Sequence, residues 1–327
     1  MLIFLLTIVT FGAVSRAQAV KVMGSELAEE KVTQKDMSDA VGFLCSDTCA
    51  GRGTGSEGCA AAAKWISGRF DAMGLKSPAA PWTGTFLTPD GLPGKNVCAV
   101  LDGGKGNSSY ILMTAHYDGL GMMAGKTYPG ADSNASGVAA MLGVAQMMKF
   151  WTFVGRKYSK SILFVALDGK YHGHSGAKAI WDDLSSGAIT DPYSGKAIGR
   201  KDIALAVNID QIGATLSPPK SGRKDYLIML SQGGYGFYGQ VLSKADRDYG
   251  TGLELMYDYY GSRDFTELFY RKVCDQKVFL EGGCNAVMFT SGITMNNNKP
   301  ADIPSTLDYP VMLRRIRLIF HWMDRII

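Results

Sequence analysis

The sequence predicts a three-layer α/β/α sandwich around a mostly parallel, mixed central sheet. Six short apolar runs are bounded by turn residues, which is typical of strands buried on both faces. Stretches with the apolar periodicity of helices separate or follow these runs. This alternation favours helices on both faces of one sheet. A chain of 327 residues, with 46% hydrophobic and 20% charged residues, is large enough for one such domain.

The predicted elements follow one another along the chain. The first helix spans residues 60–73, where Ala63, Ile66 and Phe70 recur at helical spacing, and Gly74 stands where glycine often ends a helix. The predicted strands are residues 96–101, 110–115, 161–166, 203–209, 226–230 and 285–289. The other predicted helices are residues 134–150, 233–246 and 309–323.

The N-terminus predicts export. Residues 2–14 form an apolar stretch too short to span a bilayer, and Ala17-Gln18-Ala19 has small residues where a signal peptidase cleaves. We expect a signal peptide of residues 1–19, one domain of residues 20–327, and a secreted or periplasmic protein without a membrane span after cleavage. An uncleaved anchor or a misassigned start codon is the alternative, because a basic n-region is missing.

Export would place the cysteines in an oxidising compartment, where disulfides persist. Two local bridges are predicted, Cys45 with Cys49 and Cys274 with Cys284, although the full connectivity cannot be read from sequence. The cysteines are Cys45, Cys49, Cys59, Cys98, Cys274 and Cys284. A zinc knot is the alternative, but the chain has no Cys-x-x-Cys pair.

Charge offers no case for nucleic acid as a partner. The formal net charge of +4 is spread over a mixed-sign sequence without a basic run. A peptide or protein ligand remains the expected partner, and the sequence does not give an oligomeric state.

Four polar side chains mark one edge of the predicted sheet. His116 and Asp118 end one apolar run, Asp132 directly precedes a predicted helix, and Asp210 ends another run. Loops at the carboxyl ends of parallel strands bring distant residues together. Zinc accepts this mixture of nitrogen and oxygen ligands. The sequence therefore predicts a metal site at this edge.

The order and spacing of four motifs resemble the M28 family of zinc aminopeptidases. The motifs are Ala115-His116-Tyr117-Asp118, Gly130-Ala131-Asp132 through Gly137, Phe164-Val165-Ala166-Leu167-Asp168-Gly169 and Asn208-Ile209-Asp210-Gln211-Ile212-Gly213. The likeness spans nearly the whole mature chain. It implies the zinc aminopeptidase and phosphorylase/hydrolase-like fold, with two zinc ions at the carboxyl edge of the sheet. By this resemblance, His116 and Asp210 bind one metal, Asp132 bridges both, and Asp118 orients the histidine.

The resemblance also implies a general base and further zinc ligands that this chain lacks. Two glutamates would follow Asp168-Gly169, where the chain has Lys170 and Tyr171, and a histidine would stand at Asn298. Lysine is protonated unless it is strongly desolvated, and tyrosine and asparagine are poor zinc ligands. We therefore expect no efficient two-zinc peptidase chemistry, no assignable catalytic residue, and at most one zinc ion or none.

Neighbouring residues suggest what replaces the missing zinc. Lys170 is expected to pair with Asp132 at the vacated metal position, because a lost cation leaves surplus negative charge. His172 is a candidate replacement ligand for the remaining metal. Arg263 and Tyr260 are candidate residues of the substrate cleft, where the guanidinium of Arg263 suits a carboxylate.

Three functions are compatible with these patterns. The first is a secreted M28-like protein whose peptidase site has degenerated and whose cleft binds a peptide or a partner. The second is an active hydrolase with a single zinc and a substitute ligand such as His172. The third is a non-enzymatic peptide-binding or protein-binding module that keeps only the fold.

Overall fold

The structure is a computed structural model that describes residues 24–80, 82–104, 108–215 and 221–327. The predicted signal peptide lies outside these residues. The strands are β1 (Thr85–Leu87), β2 (Pro93–Lys95), β3 (Val97–Leu101), β4 (Tyr110–His116), β5 (Met122–Met123), β6 (Lys126–Thr127), β7 (Ser161–Leu167), β8 (Ile203–Ile209), β9 (Tyr226–Ser231), β10 (Glu254–Met256) and β11 (Ala286–Thr290). The α-helices are α1 (Gln34–Leu44), α2 (Glu57–Ala72), α3 (Ser136–Phe153), α4 (Ser175–Ser186), α5 (Gly236–Tyr249), α6 (Arg263–Leu268), α7 (Gln276–Glu281) and α8 (Tyr309–Ile326).

Within the described residues, seven strands form the central sheet, in the order β10-β9-β11-β8-β4-β7-β3. Strands β11, β8, β4 and β7 are parallel neighbours, and β10 is parallel to β9. The pairs β3 with β7 and β9 with β11 are antiparallel. The sheet is therefore mixed and mostly parallel, and the predicted fold class is confirmed.

Helices cover both faces of this sheet, as β7 illustrates. Its alternate residues Ile162, Phe164 and Ala166 face the core under α1, α2, α3 and α8. The intervening residues Leu163 and Val165 face a second core under α4 and α7. Both sets of side chains are buried because successive residues of a strand point to opposite faces. This double burial explains the unbroken apolar run in the sequence.

The predicted elements agree with the structure to within a few residues. The helix predicted at 60–73 begins earlier, at Glu57, because the Ser56 side chain accepts a hydrogen bond from the Cys59 N–H and caps the helix. Helices α1, α4, α6 and α7 are not among the predicted elements. In the part of the chain that the structure describes, no helix is long and apolar enough to cross a membrane.

The two predicted local disulfides are not formed. All six cysteines are free thiols in the structure. Cys45 Sγ lies 3.5 Å from the Pro129 carbonyl oxygen, and Cys284 Sγ lies 3.3 Å from that of Asn285. Both pairings are corrected here: each of these thiols is directed at a backbone oxygen and has no sulfur partner.

Candidate metal centre

The predicted site residues meet at the carboxyl edge of the sheet because three neighbouring parallel strands end there. His116 is the last residue of β4, while Asp168 and Asp210 directly follow β7 and β8. Asp132 lies just before α3. His116, Asp118, Asp132 and Asp210 are all buried. The elements that carry these side chains therefore place them at the same edge of the sheet.

A turn after β7 delivers Lys170 to this edge. Gly169 has a φ of +72°, a backbone conformation that side-chain-bearing residues rarely adopt. A Cβ atom there would also lie 3.2 Å from the Ser175 Cβ. The short 3₁₀ turn Lys170–His172 follows, and only 10% of the Lys170 side chain is exposed.

The Lys170 ammonium lies between two of the predicted metal ligands. Its Nζ forms an ion pair with Asp210 Oδ2 and lies 3.0 Å from His116 Nε2. The partner predicted from sequence, Asp132, is wrong, because the carboxylate that Lys170 contacts is that of Asp210. An ammonium has no lone pair, so Lys170 donates and the Nε2 of a neutral His116 accepts.

The other imidazole nitrogen faces Asp118. His116 Nδ1 lies 3.1 Å from the Asp118 carbonyl oxygen and 3.5 Å from its carboxylate Oδ1. With Nε2 accepting from Lys170, the proton of the neutral ring belongs on Nδ1, where it donates to that carbonyl. The backbone carbonyl of Asp118 therefore holds the ring orientation.

The charges of the Lys170–Asp210 pair stabilise each other. Burial opposes ionisation of Asp210, yet the Lys170 ammonium outweighs it and holds the pKa of the carboxyl well below its usual range. Burial likewise disfavours the Lys170 ammonium, but Asp210 raises the pKa of that amine above its usual range. Lys170 is therefore protonated at neutral pH and cannot accept a proton.

Asp132 is held by backbone donors and one hydroxyl. Its Oδ1 accepts hydrogen bonds from Gly213 N at 2.8 Å, Ala214 N at 3.2 Å and Ser136 Oγ at 3.0 Å. Its Oδ2 has no hydrogen-bond partner within the described residues. Burial, with a smaller contribution from the nearby Asp302 carboxylate, raises the pKa of Asp132 to about 6.

The two residues at the degenerate ligand positions bind each other. Tyr171 Oη donates to Asn298 Oδ1 at 3.0 Å and lies 3.1 Å from Ser133 Oγ. The Tyr171 ring meets the His116 ring edge to face, with centroids 6.0 Å apart. The resemblance implies metal ligands at both positions, but the sequence does not show that Tyr171 and Asn298 belong to one hydrogen-bonded chain.

Neither nearby histidine stands in for a lost ligand. His172 Nδ1 pairs with Asp90 Oδ2 at 2.9 Å, and His174 Nδ1 pairs with Asp275 Oδ1 at 2.8 Å. The imidazoles of His172 and His174 are thus each paired with a carboxylate other than that of Asp210. The contact of His172 with Asp90 gives no support to its predicted role as a replacement ligand.

A small cleft of about 180 Å³ opens beside Lys170. Its lining includes Asp210, Gln211, Tyr259 and Phe269. Tyr259, rather than the predicted Tyr260, forms the aromatic wall, because the Tyr260 hydroxyl bonds to the Tyr226 hydroxyl at 2.6 Å. Arg263 is exposed at the start of α6 and does not line this cleft.

Arg52 holds together the backbone segments that carry His116 and Asp132, a role that the sequence analysis did not predict. Its buried guanidinium donates to the carbonyl oxygens of Tyr117, Pro129 and Gly130, at 2.6 to 2.9 Å, and also to that of Leu44. These bonds tie the end of β4 to the segment that carries Asp132. The Gly51-Arg52-Gly53 sequence could have indicated this role, because glycines on both sides of a charged residue suit a buried, closely packed turn.

The residues as arranged do not fit a zinc ion. The Nε2 lone pair of His116, which would bind the metal, is directed at an ammonium. Among the described residues, no three His, Cys, Asp or Glu side chains are placed to hold one ion. Two of the three acceptors that the resemblance assigns to a metal, His116 and Asp210, contact the Lys170 ammonium instead.

Comparisons with known proteins agree with this fold. The model of "Peptidase family M28" matches residues 96–323. Nicalin of Caenorhabditis elegans is 29% identical over 124 residues, and a BOS complex subunit of Danio rerio is 25% identical over 127 residues. Each match covers 36% of this chain but only 22% and 21% of the relative, so the chain corresponds to a small part of either protein.

A solved structure gives the same result at the level of fold. The zinc aminopeptidase of Bacillus subtilis superposes with a TM-score of 0.65 at 13% identity. The superposition covers 89% of this chain and 94% of that enzyme. At this identity the likeness shows a shared architecture and nothing about chemistry.

Proposed function

Because this chain belongs to peptidase family M28, we propose that it is a non-catalytic member in which the Lys170 ammonium has replaced the metal, and that it acts by binding. One observation carries the proposal: Lys170 Nζ contacts both His116 Nε2 and Asp210 Oδ2. One positive charge on the chain itself thus stands where the resemblance requires a divalent ion.

The chemistry that a two-metal hydrolase needs is missing at each step. Such an enzyme needs a metal-activated water, a base with a pKa near neutral, and cationic charge where the oxyanion develops. Lys170 occupies the base position and stays protonated, because Asp210 raises its pKa. Tyr171 and Asn298 satisfy each other by hydrogen bonding.

A single-zinc hydrolase is the weaker candidate. It would need an imidazole to join His116 and Asp210, and His172 pairs with Asp90 instead. Lys170 would also have to leave a buried ion pair before a metal could bind. One of the two relatives is named as a subunit of a complex, which supports a binding role for this chain.

The location of the protein is also a proposal. The apolar residues 2–14, followed by Ala17-Gln18-Ala19, support export and cleavage after Ala19. The mature protein is then secreted or periplasmic. N-terminal sequencing of the purified protein tests this point, and a first residue other than Val20 contradicts it.

The proposed function is tested with leucine 4-nitroanilide as an aminopeptidase substrate. The wild-type protein with added zinc should hydrolyse it no faster than the His116→Ala variant. The triple variant Lys170→Glu, Tyr171→Glu, Asn298→His, which restores the implied base and ligands, should gain zinc-dependent hydrolysis. Zinc-dependent hydrolysis by the wild type that His116→Ala abolishes would overturn the proposal.

A further inference from the structure

A second and larger cavity lies at the β3 edge of the sheet. This edge groove, with a volume of about 920 Å³, lies between α2, the β1–β2 hairpin and the edge strand β3. Its size falls in the range of ligand sites in proteins. The cleft beside Lys170 has a different set of lining residues. The groove is therefore a feature that the proposed function does not use.

The floor of the edge groove contains an interruption in strand pairing. On the outer side of β3, Asn96 N donates to the Gly84 carbonyl oxygen and Val100 N donates to that of Lys76, both at 2.8 Å. Residues of a strand alternate in the side to which their peptide groups point, so Cys98 faces the same way as Asn96 and Val100.

Among the residues that the structure describes, the Cys98 peptide group has no partner on that side. No described residue forms a backbone hydrogen bond with its N–H or carbonyl beyond the β3–β7 ladder. The chain pairs with the edge at Lys76 and again at Gly84, and it diverges between them, where Ala79 N bonds to the Thr190 carbonyl oxygen. One donor and one acceptor of an edge strand are thus left facing a cavity, which is the arrangement that an added strand completes.

The α2 wall of the edge groove leaves room for a chain. It presents the small residues Ala60, Ala63, Ser67 and Gly68. A Cβ atom built on Gly68 would meet no atom within 4 Å. The opposite wall carries Trp82, whose Nε1 is fixed by Asp183 Oδ2 at 2.8 Å. A rigid aromatic wall facing a wall of small residues suits a narrow apolar side chain.

Two lysines give the edge groove its charge. Lys64 on α2 and Lys95 on β2 both line it and are exposed, and neither has a carboxylate partner among the described residues. Asp168, at the base, already accepts hydrogen bonds from Thr54 Oγ1 and Gly169 N. Asp71 also lines the edge groove, about two helical turns beyond Lys64, so the negative and positive charges of the α2 wall are separated along the helix.

We propose that the edge groove binds an extended peptide segment with an acidic side chain, which adds to β3 as a short strand. The peptide backbone pairs with the N–H and carbonyl of Cys98. Its apolar side chains lie between α2 and Trp82, and its carboxylate meets Lys64 and Lys95. This site does not depend on whether the Lys170 centre is catalytic.

The test uses acetylated, amidated and fluorescein-labelled pentapeptides of valine and threonine, with one aspartate placed at each of the five positions in turn. Fluorescence anisotropy measures their binding to the purified chain. At least one peptide should bind saturably. Gly68→Leu, which fills the edge groove and improves helix propensity, should weaken that binding at least tenfold.

Gly42→Leu is the matched control. Gly42 is a glycine of α1 that also has no atom within 4 Å of a built Cβ, and it does not line the edge groove. This variant should bind the peptide as the wild type does. Equal weakening by both variants would show that the effect is not located in the groove and would overturn the proposal.

Two further measurements separate strand addition from other binding. The Lys64→Glu, Lys95→Glu double variant should lose affinity for the aspartate peptide and gain affinity for a peptide with lysine in its place. Hydrogen exchange at the Cys98 amide should slow when the peptide binds. Absence of binding by all five peptides up to about 1 mM, or binding that leaves Cys98 exchange unchanged, would overturn the proposal.

Discussion

At the scale of single residues, Lys170 contacts two side chains, His116 and Asp210, that the sequence predicts as metal ligands. The ammonium supplies one positive charge, and buried carboxylate oxygens of Asp118, Asp132 and Asp210 remain without hydrogen-bond partners within the described part of the chain. The raised pKa of Asp132 has the same origin, since burial disfavours its charged form. The single positive charge of Lys170 therefore leaves several carboxylate oxygens of this site without a partner.

The first prediction concerns Lys170→Met. Removing the ammonium leaves the Asp210 carboxylate buried without its charged partner, which typically costs about 3–5 kcal/mol of unfolding free energy. Urea denaturation monitored by circular dichroism measures the loss. Lys178→Met, at an exposed lysine of α4, is the control and should change stability by less than about 0.5 kcal/mol. Equal stability of the two variants would contradict a structural role for the Lys170 ion pair.

At the scale of elements, the helix α2 contains two glycines in opposite environments. A Cβ on Gly58 would lie 2.1 Å from the Cys49 carbonyl oxygen, closer than such atoms approach, whereas a Cβ on Gly68 would meet nothing within 4 Å. The first glycine permits α2 to pack against the preceding turn. The second makes no such contact; it lowers the helix propensity and leaves open space on the α2 wall of the edge groove.

The second prediction follows from this contrast. Gly68→Ala should raise the unfolding free energy by about 0.5–1 kcal/mol, because alanine favours the helix and loses less backbone entropy on folding. Gly58→Ala should lower it by about 1–3 kcal/mol, because the new methyl group forces the turn at Cys49 to move. Thermal melts of both variants measure the two shifts. Shifts of the same sign in the two variants would contradict the inference that Gly58 and Gly68 have opposite packing environments.

The elements also show what the sequence predicts and what it leaves open. Strand ends could be placed because the apolar runs are continuous, and His116 and Asp210 came to the correct sheet edge with them. The sequence places Lys170 at that edge but pairs it with Asp132, whereas the structure pairs it with Asp210. The direction of the Lys170 side chain depends on the backbone turn at Gly169, which the spacing of residues does not reveal. The sequence analysis places Tyr260 in the cleft, whereas Tyr259 lines it. The cause is the same, because a shift of one residue along the chain changes which side chain faces the cleft.

At the scale of the whole molecule, the architecture is that of family M28, and the carboxyl edge of its sheet holds the Lys170–Asp210 ion pair. The sheet order, the mixed strand directions and the helices on both faces match a zinc aminopeptidase at a TM-score of 0.65. The same sheet carries the Lys170 centre at its carboxyl edge and the edge groove beside β3. The proposed binding in the edge groove and the proposed loss of metal chemistry at the Lys170 centre are independent of each other, and separate experiments test them.

The most direct test of the central claim is the zinc content of the protein measured by plasma mass spectrometry, after equilibration with excess zinc and removal of the unbound ion. The wild type should retain less than about 0.1 equivalent, because the Lys170 ammonium holds the position between His116 and Asp210. About one equivalent in the wild type, lost in His116→Ala, would show that a metal displaces Lys170 and would contradict the account.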